Sequence, residues 1–267
     1  MKYVKESLKK YLAGFVDSDG TIAFHFNKTA DGCFTVGLQF VVTQAASNDP
    51  DFKQLRTLHD VFSVGHLFGP TQRNEKQSPQ MVWKVCARHE LEKFLPHIIK
   101  YMVIKGKHFQ RMLDKRRDMI NKKLTEQEVK ELKLWAKQSR LDTGPLKHKN
   151  YPSPAWTAGY VDGDGCFRLY PKKKGRAEEM RLKISSWKPD SCASKLLMQA
   201  YGGRLHSSGE TTNVYYLNMG ASFYGTAKKF LGDILPHLRL KKHEAEMILY
   251  RHKQRLSEGT STEEAIV

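Results

Sequence analysis

Apolar positions recur along this chain with two periods that follow one another in a fixed order. Over Ser7 to Asp17, Leu8, Leu12, Phe15 and Val16 fall at helical spacing, and Gly20 ends the run. Period two comes next. Ile22, Phe24 and Phe26 alternate with Ala23, His25 and Asn27; after a turn holding Asp31 and Gly32, Phe34, Val36, Leu38, Phe40 and Val42 alternate with Thr35, Gly37, Gln39, Val41 and Thr43. This predicts a hairpin with one buried and one open face. A helix over Pro50 to Phe62, a second hairpin from Gly65, and helices near Glu90 to Lys100 and Lys105 to Asn121 complete a first set.

A second set repeats that order. Phe167 and Leu169 alternate with Arg168 and Tyr170, and Leu182 and Ile184 with Arg181 and Lys183; then come a helix over Pro189 to Tyr201, a hairpin from Gly203, and helices over Ser222 to Leu235 and Lys241 to Leu256. Each set gives a four-stranded sheet whose apolar face its helices can cover, leaving the other face open. Between the sets, Leu124 to Arg140 reads as an extra amphipathic helix, with Thr125 and Glu128 spaced as a capping box. The expected organisation is a first repeat over 1–121, an extra helix and linker over 122–154, a second repeat over 155–256 and a frayed polar tail over 257–267.

Two nine-residue strings open the sets: Leu12 to Gly20 (LAGFVDSDG) and Thr157 to Gly165 (TAGYVDGDG). Each closes a helix with two carboxylates and a glycine, where helix energetics disfavour negative charge unless a cation is bound. Gly14 and Ser18, or Gly159 and Gly163, lie four apart and form a thin stripe on which another helix backbone can approach closely. Packing one motif helix on the other is expected to bring Asp19, Asp164 and last-turn carbonyl oxygens into a hard-oxygen nest suited to Mg²⁺. An EF-hand is excluded, because counting from Asp17 or Asp162 puts Ile22 or Phe167 at the required glycine and Lys28 or Lys173 at the required glutamate.

Charge narrows the partner. A formal charge of +17 with pI ≈ 9.6 points to a polyanion, nucleic acid foremost. No apolar run approaches the ~18 residues of a spanning helix, and no short apolar stretch follows a basic start as in a secretory leader, so a soluble intracellular protein without membrane partners is expected. Cys33, Cys86, Cys166 and Cys192 form no metal-binding or disulfide pattern and read as small, mostly buried thiols.

The paired strings resemble the motifs of the LAGLIDADG homing endonucleases in their single-chain, two-repeat form, over about residues 3 to 256. The resemblance implies an α+β fold of two pseudo-symmetric α-β-β-α-β-β-α repeats, with saddle-shaped antiparallel sheets and helices on their outer face. It implies a monomeric, site-specific double-stranded DNA endonuclease that cuts both strands across the minor groove and leaves short 3′ overhangs. An intron RNA maturase, or a catalytically silent nucleic-acid-binding protein of the same fold, is the alternative. The cofactor implied is Mg²⁺, about two or three divalent cations in all, with Mn²⁺ substituting and Ca²⁺ binding without cleavage. The partner is a duplex target of ~20 base pairs, met in whichever compartment holds the target genome, an organelle or the prokaryotic cytoplasm.

Carried over by motif position, the resemblance makes Asp19 and Asp164 metal-binding carboxylates and gives the Ser18 and Gly163 carbonyls to the metal, with Asp17 and Asp162 as caps or supports. Val103 to Lys107 and Arg239 to His243 match the family's lysine-bearing strings, so Lys105 and Lys241 are expected near the scissile phosphate. Gln44 matches a solvent-organising glutamine. The second repeat departs there, with Ser186 a weak counterpart, and Thr157 replaces the motif's leading Leu. Base and backbone contacts are expected from the open strand faces and their loop: His25, Asn27, Gln39, Lys84, Arg168, Tyr170, Lys172, Arg181, Lys183 and His206.

Overall fold

A computed structural model describes residues 4–47, 49–72, 74–145, 152–170, 179–187, 192–218 and 224–263. The chain divides into two compact units, 1–160 and 161–267.

In the first unit, α1 (Glu6–Asp19) runs directly into strand β1 (Gly20–Lys28), which pairs with β2 (Phe34–Ala45). Helix α2 (Lys53–Phe62), strands β3 (His66–Thr71) and β4 (Gln80–Val85), and helices α3 (Arg88–Ile99), α4 (Gly106–Asp118) and α5 (Glu126–Ser139) follow. The sheet is antiparallel, in the order β1-β2-β4-β3. The alternation read from the sequence sets its register: Ile22 faces Phe40, Phe24 faces Leu38 and Phe26 faces Val36, all on the covered side. Phe40, Phe62, Trp83 and Phe94 bury their rings there, with centroids 5.3 Å apart for Phe40 and Phe94 and 5.6 Å for Phe40 and Trp83. Edge-to-face geometry of this kind adds to the area buried. The Trp83 indole donates to the Val64 carbonyl at 2.8 Å, so its single polar group is satisfied.

The extra helix begins as its capping signal predicts. The Thr125 hydroxyl accepts from the Glu128 amide at 3.3 Å, and the Glu128 carboxylate accepts from the Thr125 amide at 2.7 Å. Val129, Leu132 and Trp135 of α5 pack on Phe24, Phe26, Phe34 and Val36, closing the far end of the first hairpin.

In the second unit the end of α6 (Pro154–Asp164) enters β5 (Gly165–Tyr170), which pairs with β6 (Glu179–Trp187). Helix α7 (Cys192–Tyr201), strands β7 (Arg204–Ser208) and β8 (Thr212–Asn218), and helices α8 (Tyr224–Ile234) and α9 (Lys242–Glu263) complete it. The sheet order β5-β6-β8-β7 repeats that of the first unit. Leu182, Ile184, Tyr215 and Leu217 of the sheet and Leu197, Phe230, Leu231 and Ile234 of the helices are all buried. The second hairpin of each unit starts one residue after a glycine held at positive φ, +70° at Gly65 and +96° at Gly203. A Cβ on Gly203 would sit 2.5 Å from the Tyr216 carbonyl, and one on Gly65 would overlap that of Lys84, so both the backbone conformation and the close approach require glycine.

Two details differ from expectation. Helix α9 continues to Glu263, past the point where fraying was expected. None of the four cysteines is fully buried: Cys86 is exposed and the other three are intermediate. Cys33, Cys86 and Cys166 sit at strand ends or on the open face, where no core closes over them. Among the described residues no helix is long and apolar enough to cross a membrane.

Candidate metal and nucleic-acid site

Both motif helices end in the same local structure. Asp17, only 2% exposed, accepts from the backbone amides of Val103 at 2.7 Å, Ile104 at 3.2 Å and Lys105 at 2.8 Å, just ahead of α4. Asp162 accepts from Arg239 at 2.8 Å, Leu240 at 3.2 Å and Lys241 at 2.9 Å, just ahead of α9. Each carboxylate thus caps a distant helix start, where unpaired amides and the helix dipole favour negative charge. Burial pushes the Asp17 carboxyl above the usual carboxylate range, while the Lys105 and Val103 amides and the Lys105 ammonium oppose that rise. Asp17 also receives the Trp156 indole at 2.9 Å. The sequence reading of Asp17 and Asp162 as supports is what the bonds describe.

The two lysines return the connection. Lys105 Nζ donates to the carbonyls of Val16 at 3.2 Å, Ser18 at 2.9 Å and Gly20 at 2.9 Å. Lys241 Nζ donates to those of Val161 at 2.8 Å, Asp162 at 2.6 Å and Gly163 at 3.2 Å. An ammonium therefore sits at the negative end of each motif helix, bonded to the carbonyls that the resemblance gave to the metal. Asp19 and Asp164, the last residues of α1 and α6, are half-buried.

Within the first unit, α1 lies against the opening turns of α6. A Cβ on Gly14 would run into the Trp156 carbonyl and stand 2.9 Å from the Tyr160 nitrogen; one on Gly159 would run into the Tyr11 carbonyl and stand 2.9 Å from the Phe15 nitrogen. The glycines of the two motifs let helix backbones meet without side chains between them. Thr157 is fully buried here, and its hydroxyl has no hydrogen-bond partner, so Leu's absence at this position leaves a polar group in the core.

The donor set fits a hard cation: carboxylate and carbonyl oxygens at rigid helix ends, in contrast to the nitrogen and sulfur ligands that select zinc. Among the described residues no group of three or more His, Cys, Asp and Glu side chains converges, so carbonyl, water or substrate oxygens would have to complete any coordination sphere.

Gln44 lies near the end of β2, 1% exposed, with neither its amide nitrogen nor its oxygen hydrogen-bonded. Its second-repeat counterpart, Ser186, is buried too, but meets Ser194 Oγ at 3.3 Å.

The registers place the expected contact residues on one face of each sheet. In the first, His25, Asn27, Gln39 and Lys84 lie opposite Gly37, Thr35, Ala23 and Val41. In the second, Arg168 faces Arg181 directly, Lys183 faces Cys166 and Tyr216, His206 faces Val214, and Tyr170 pairs with Glu179. Lys172 lies outside the described residues. A concave site of about 570 Å³ opens on the second face, lined by Arg181, Arg204, His206, Tyr216 and Asn218 among others. Sequence reasoning missed Arg204, Tyr216 and Asn218; the alternation of Arg204, His206 and Ser208 after Gly203 carried the signal for the first of these.

Doubled four-stranded antiparallel sheets, each entered from a helix ending in Asp-x-Asp-Gly, define a two-repeat α+β protein of the LAGLIDADG fold. Residues 12–113 match the LAGLIDADG endonuclease family. That match covers the first repeat, and the second repeat carries a similar motif and the same sheet order. A probable intron-encoded endonuclease of Schizosaccharomyces pombe, Cox1-I1b, is 22% identical over 183 residues, which make up 64% of this chain and 44% of that protein. The chain thus matches under half the length of this curated relative. Among solved structures, the homing endonuclease I-GzeII in complex with its DNA target superposes with TM-score 0.71 at 17% identity, over 94% of this chain and 91% of the other. I-SmaMI bound to uncleaved DNA with calcium ions gives TM-score 0.68 at 20% identity, over 94% and 92%. At such identities these likenesses establish the fold.

Proposed function

We propose that the protein is a site-specific double-stranded DNA endonuclease dependent on divalent cations, with Mg²⁺ the working ion. It cuts both strands of a target of ~20 base pairs across the minor groove and leaves short 3′ overhangs, acting as a monomer in the compartment that holds its target genome. The observation that carries this reading is the doubled helix end: two aspartates, Asp19 and Asp164, each on a helix tip fixed by a buried aspartate and by a lysine just ahead of a second helix. The intron-encoded relative and the DNA-bound fold neighbours support it.

In this reading Asp19 and Asp164, with the Ser18 and Gly163 carbonyls, hold the cations. When bound, the cations supply charge stabilisation at the attacking and leaving oxygens of the phosphodiester. Asp17 and Asp162 keep each tip rigid. Lys105 and Lys241 present an ammonium beside the reacting phosphate, and Gln44 orients water on the first side. His25, Asn27, Gln39, Lys84, Arg168, Tyr170, Lys172, Arg181, Lys183 and His206 contact the duplex.

The test is a plasmid library incubated with Mg²⁺ and searched for a unique double-strand cut, repeated with Asp19→Asn and Asp164→Asn. Each substitution is expected to abolish double-strand cleavage while leaving duplex affinity within a few fold. Persistent full cleavage in both variants overturns the assignment. Binding without any cut by the unaltered protein favours a silent binder or a maturase instead.

A further inference from the structure

The first repeat carries a second polar site away from the motif helix. Strand β4 ends at Val85, and beyond it the edge of β2 is uncovered; there a half-open cavity of about 280 Å³ lies between the sheet and helices α3 and α4. Its walls include His25 and Thr35 from the open sheet face and Arg88, Glu92 and Arg116 from the helices. Gly37 makes the connection, because the His25 imidazole lies across it in the space a Cβ would fill.

Two buried nitrogens in these walls have no partner, Nη1 of Arg116 and Nδ1 of His25. The one carboxylate at hand, Glu92, is engaged by Arg88 Nε at 3.0 Å. Burial lowers the Arg116 pKa, with Arg88 adding to the effect and Glu92 opposing it, and His25 is held below its ordinary pKa by burial, with Lys84 and Arg116 adding to the effect. A buried guanidinium N–H without an acceptor is unfavourable by several times thermal energy, and an incoming anionic oxygen recovers that loss.

We infer that this cavity is a phosphate-binding site, in which the Arg116 guanidinium, backed by Arg88 and His25, takes one phosphate group at the margin of the nucleic-acid face. The inference rests on the proposed DNA-binding role for its biological source, a phosphodiester of the duplex backbone. A free phosphate ion shares the chemistry.

The test uses the full chain in chelator, so that no cutting occurs, and a fluorescent mixed-sequence duplex, with affinity measured across a salt series. Arg116→Gln is expected to weaken binding roughly tenfold and to reduce the slope of log affinity against log salt by about 0.9, one phosphate contact. Arg116→Lys, which keeps the charge but not the fork, should restore the slope and only part of the affinity. Because Nη1 makes no protein bond, Arg116→Gln should melt no lower than the unaltered chain, which separates lost contact from lost fold.

In a parallel arm, inorganic phosphate should raise the melting temperature of the unaltered chain and not that of Arg116→Gln. A phosphate response without any change in the duplex slope assigns the site to the free ion and removes the backbone as its source. Unchanged slope together with no phosphate response overturns the site altogether. Failure of the unaltered chain to bind duplex at all strikes the proposed function, and the phosphate arm still decides this site.

Discussion

In the first repeat Asp17 gathers three amides ahead of α4 and Lys105 returns to the carbonyls of α1; in the second, Asp162 and Lys241 do the same with α9 and α6. The open sheet faces show no such identity. Where the first hairpin offers His25 and Asn27 around Phe26, the second offers Arg168 and Tyr170 around Leu169. The apolar positions keep their character because a core lies beneath them, and the alternate positions are free to change. Two copies of one unit thus hold the helix tip constant and vary the surface, as expected where a fixed chemistry serves an asymmetric ligand. The tips are not wholly equivalent, however: only Asp17 has the Trp156 indole among its described bonds, and Gln44 is replaced by Ser186.

The largest effect should come from breaking the shared element. Asp17→Ala strips an acceptor from three amides and an indole, and Asp162→Ala from three amides; each should lower unfolding free energy by about 3–5 kcal/mol, the first by ~1 kcal/mol more. Urea unfolding with unchanged slope measures this, and equal losses would mean that the indole bond contributes nothing.

A smaller contrast lies at His108, buried against Ser139 Oγ at 3.2 Å by the extra helix, whereas the matching second-repeat residue is the exposed Glu244. Burial, with Arg140 and Lys105 nearby, lowers the His108 pKa to about 4. The unfolded chain takes up a proton near pH ~6.5 and the folded chain does not until about 4, so stability should be flat above this window and fall by about 3 kcal/mol as pH drops through it. His108→Gln should flatten that part of the stability profile; a profile identical to the unaltered chain would place the acid sensitivity elsewhere.

The smallest effects on stability are expected at Gln44 and its counterpart Ser186. Gln44→Met removes two buried groups without partners and should raise stability by about 1–2 kcal/mol while slowing single-turnover cleavage. Ser186→Ala should change stability by less than ~1 kcal/mol. A Gln44→Met protein that melts lower would show that the amide does structural work in its pocket.

Much of the fold could be read from period alone. The pairings of Ile22, Phe24 and Phe26, the repeat of strand order and the Thr125 capping box all follow from local spacing, because strand pleat and helix capping act over a few residues. The tip geometry was legible only through resemblance to a family, since Lys105 and Asp17 are 88 residues apart and nothing local requires them to meet. The Trp156 bond to Asp17, across 139 residues, left no trace in the chain at all. Arg116 was invisible for a different reason. On a helix rich in Lys and Arg, the one guanidinium nitrogen that is buried without a partner looks like its neighbours until the packing is known.

The boundary between the two compact units falls after Tyr160, inside one continuous helix, and the part of α6 before it supplies the Trp156 indole and the Gly159 backbone to the first unit. A chimaera built by joining halves of two such proteins at the linker before Pro154 would therefore exchange a piece of the first half's interior along with the second half. The opening turns of α6 belong, by their described bonds, to the interior of the first unit, although the second motif begins within them.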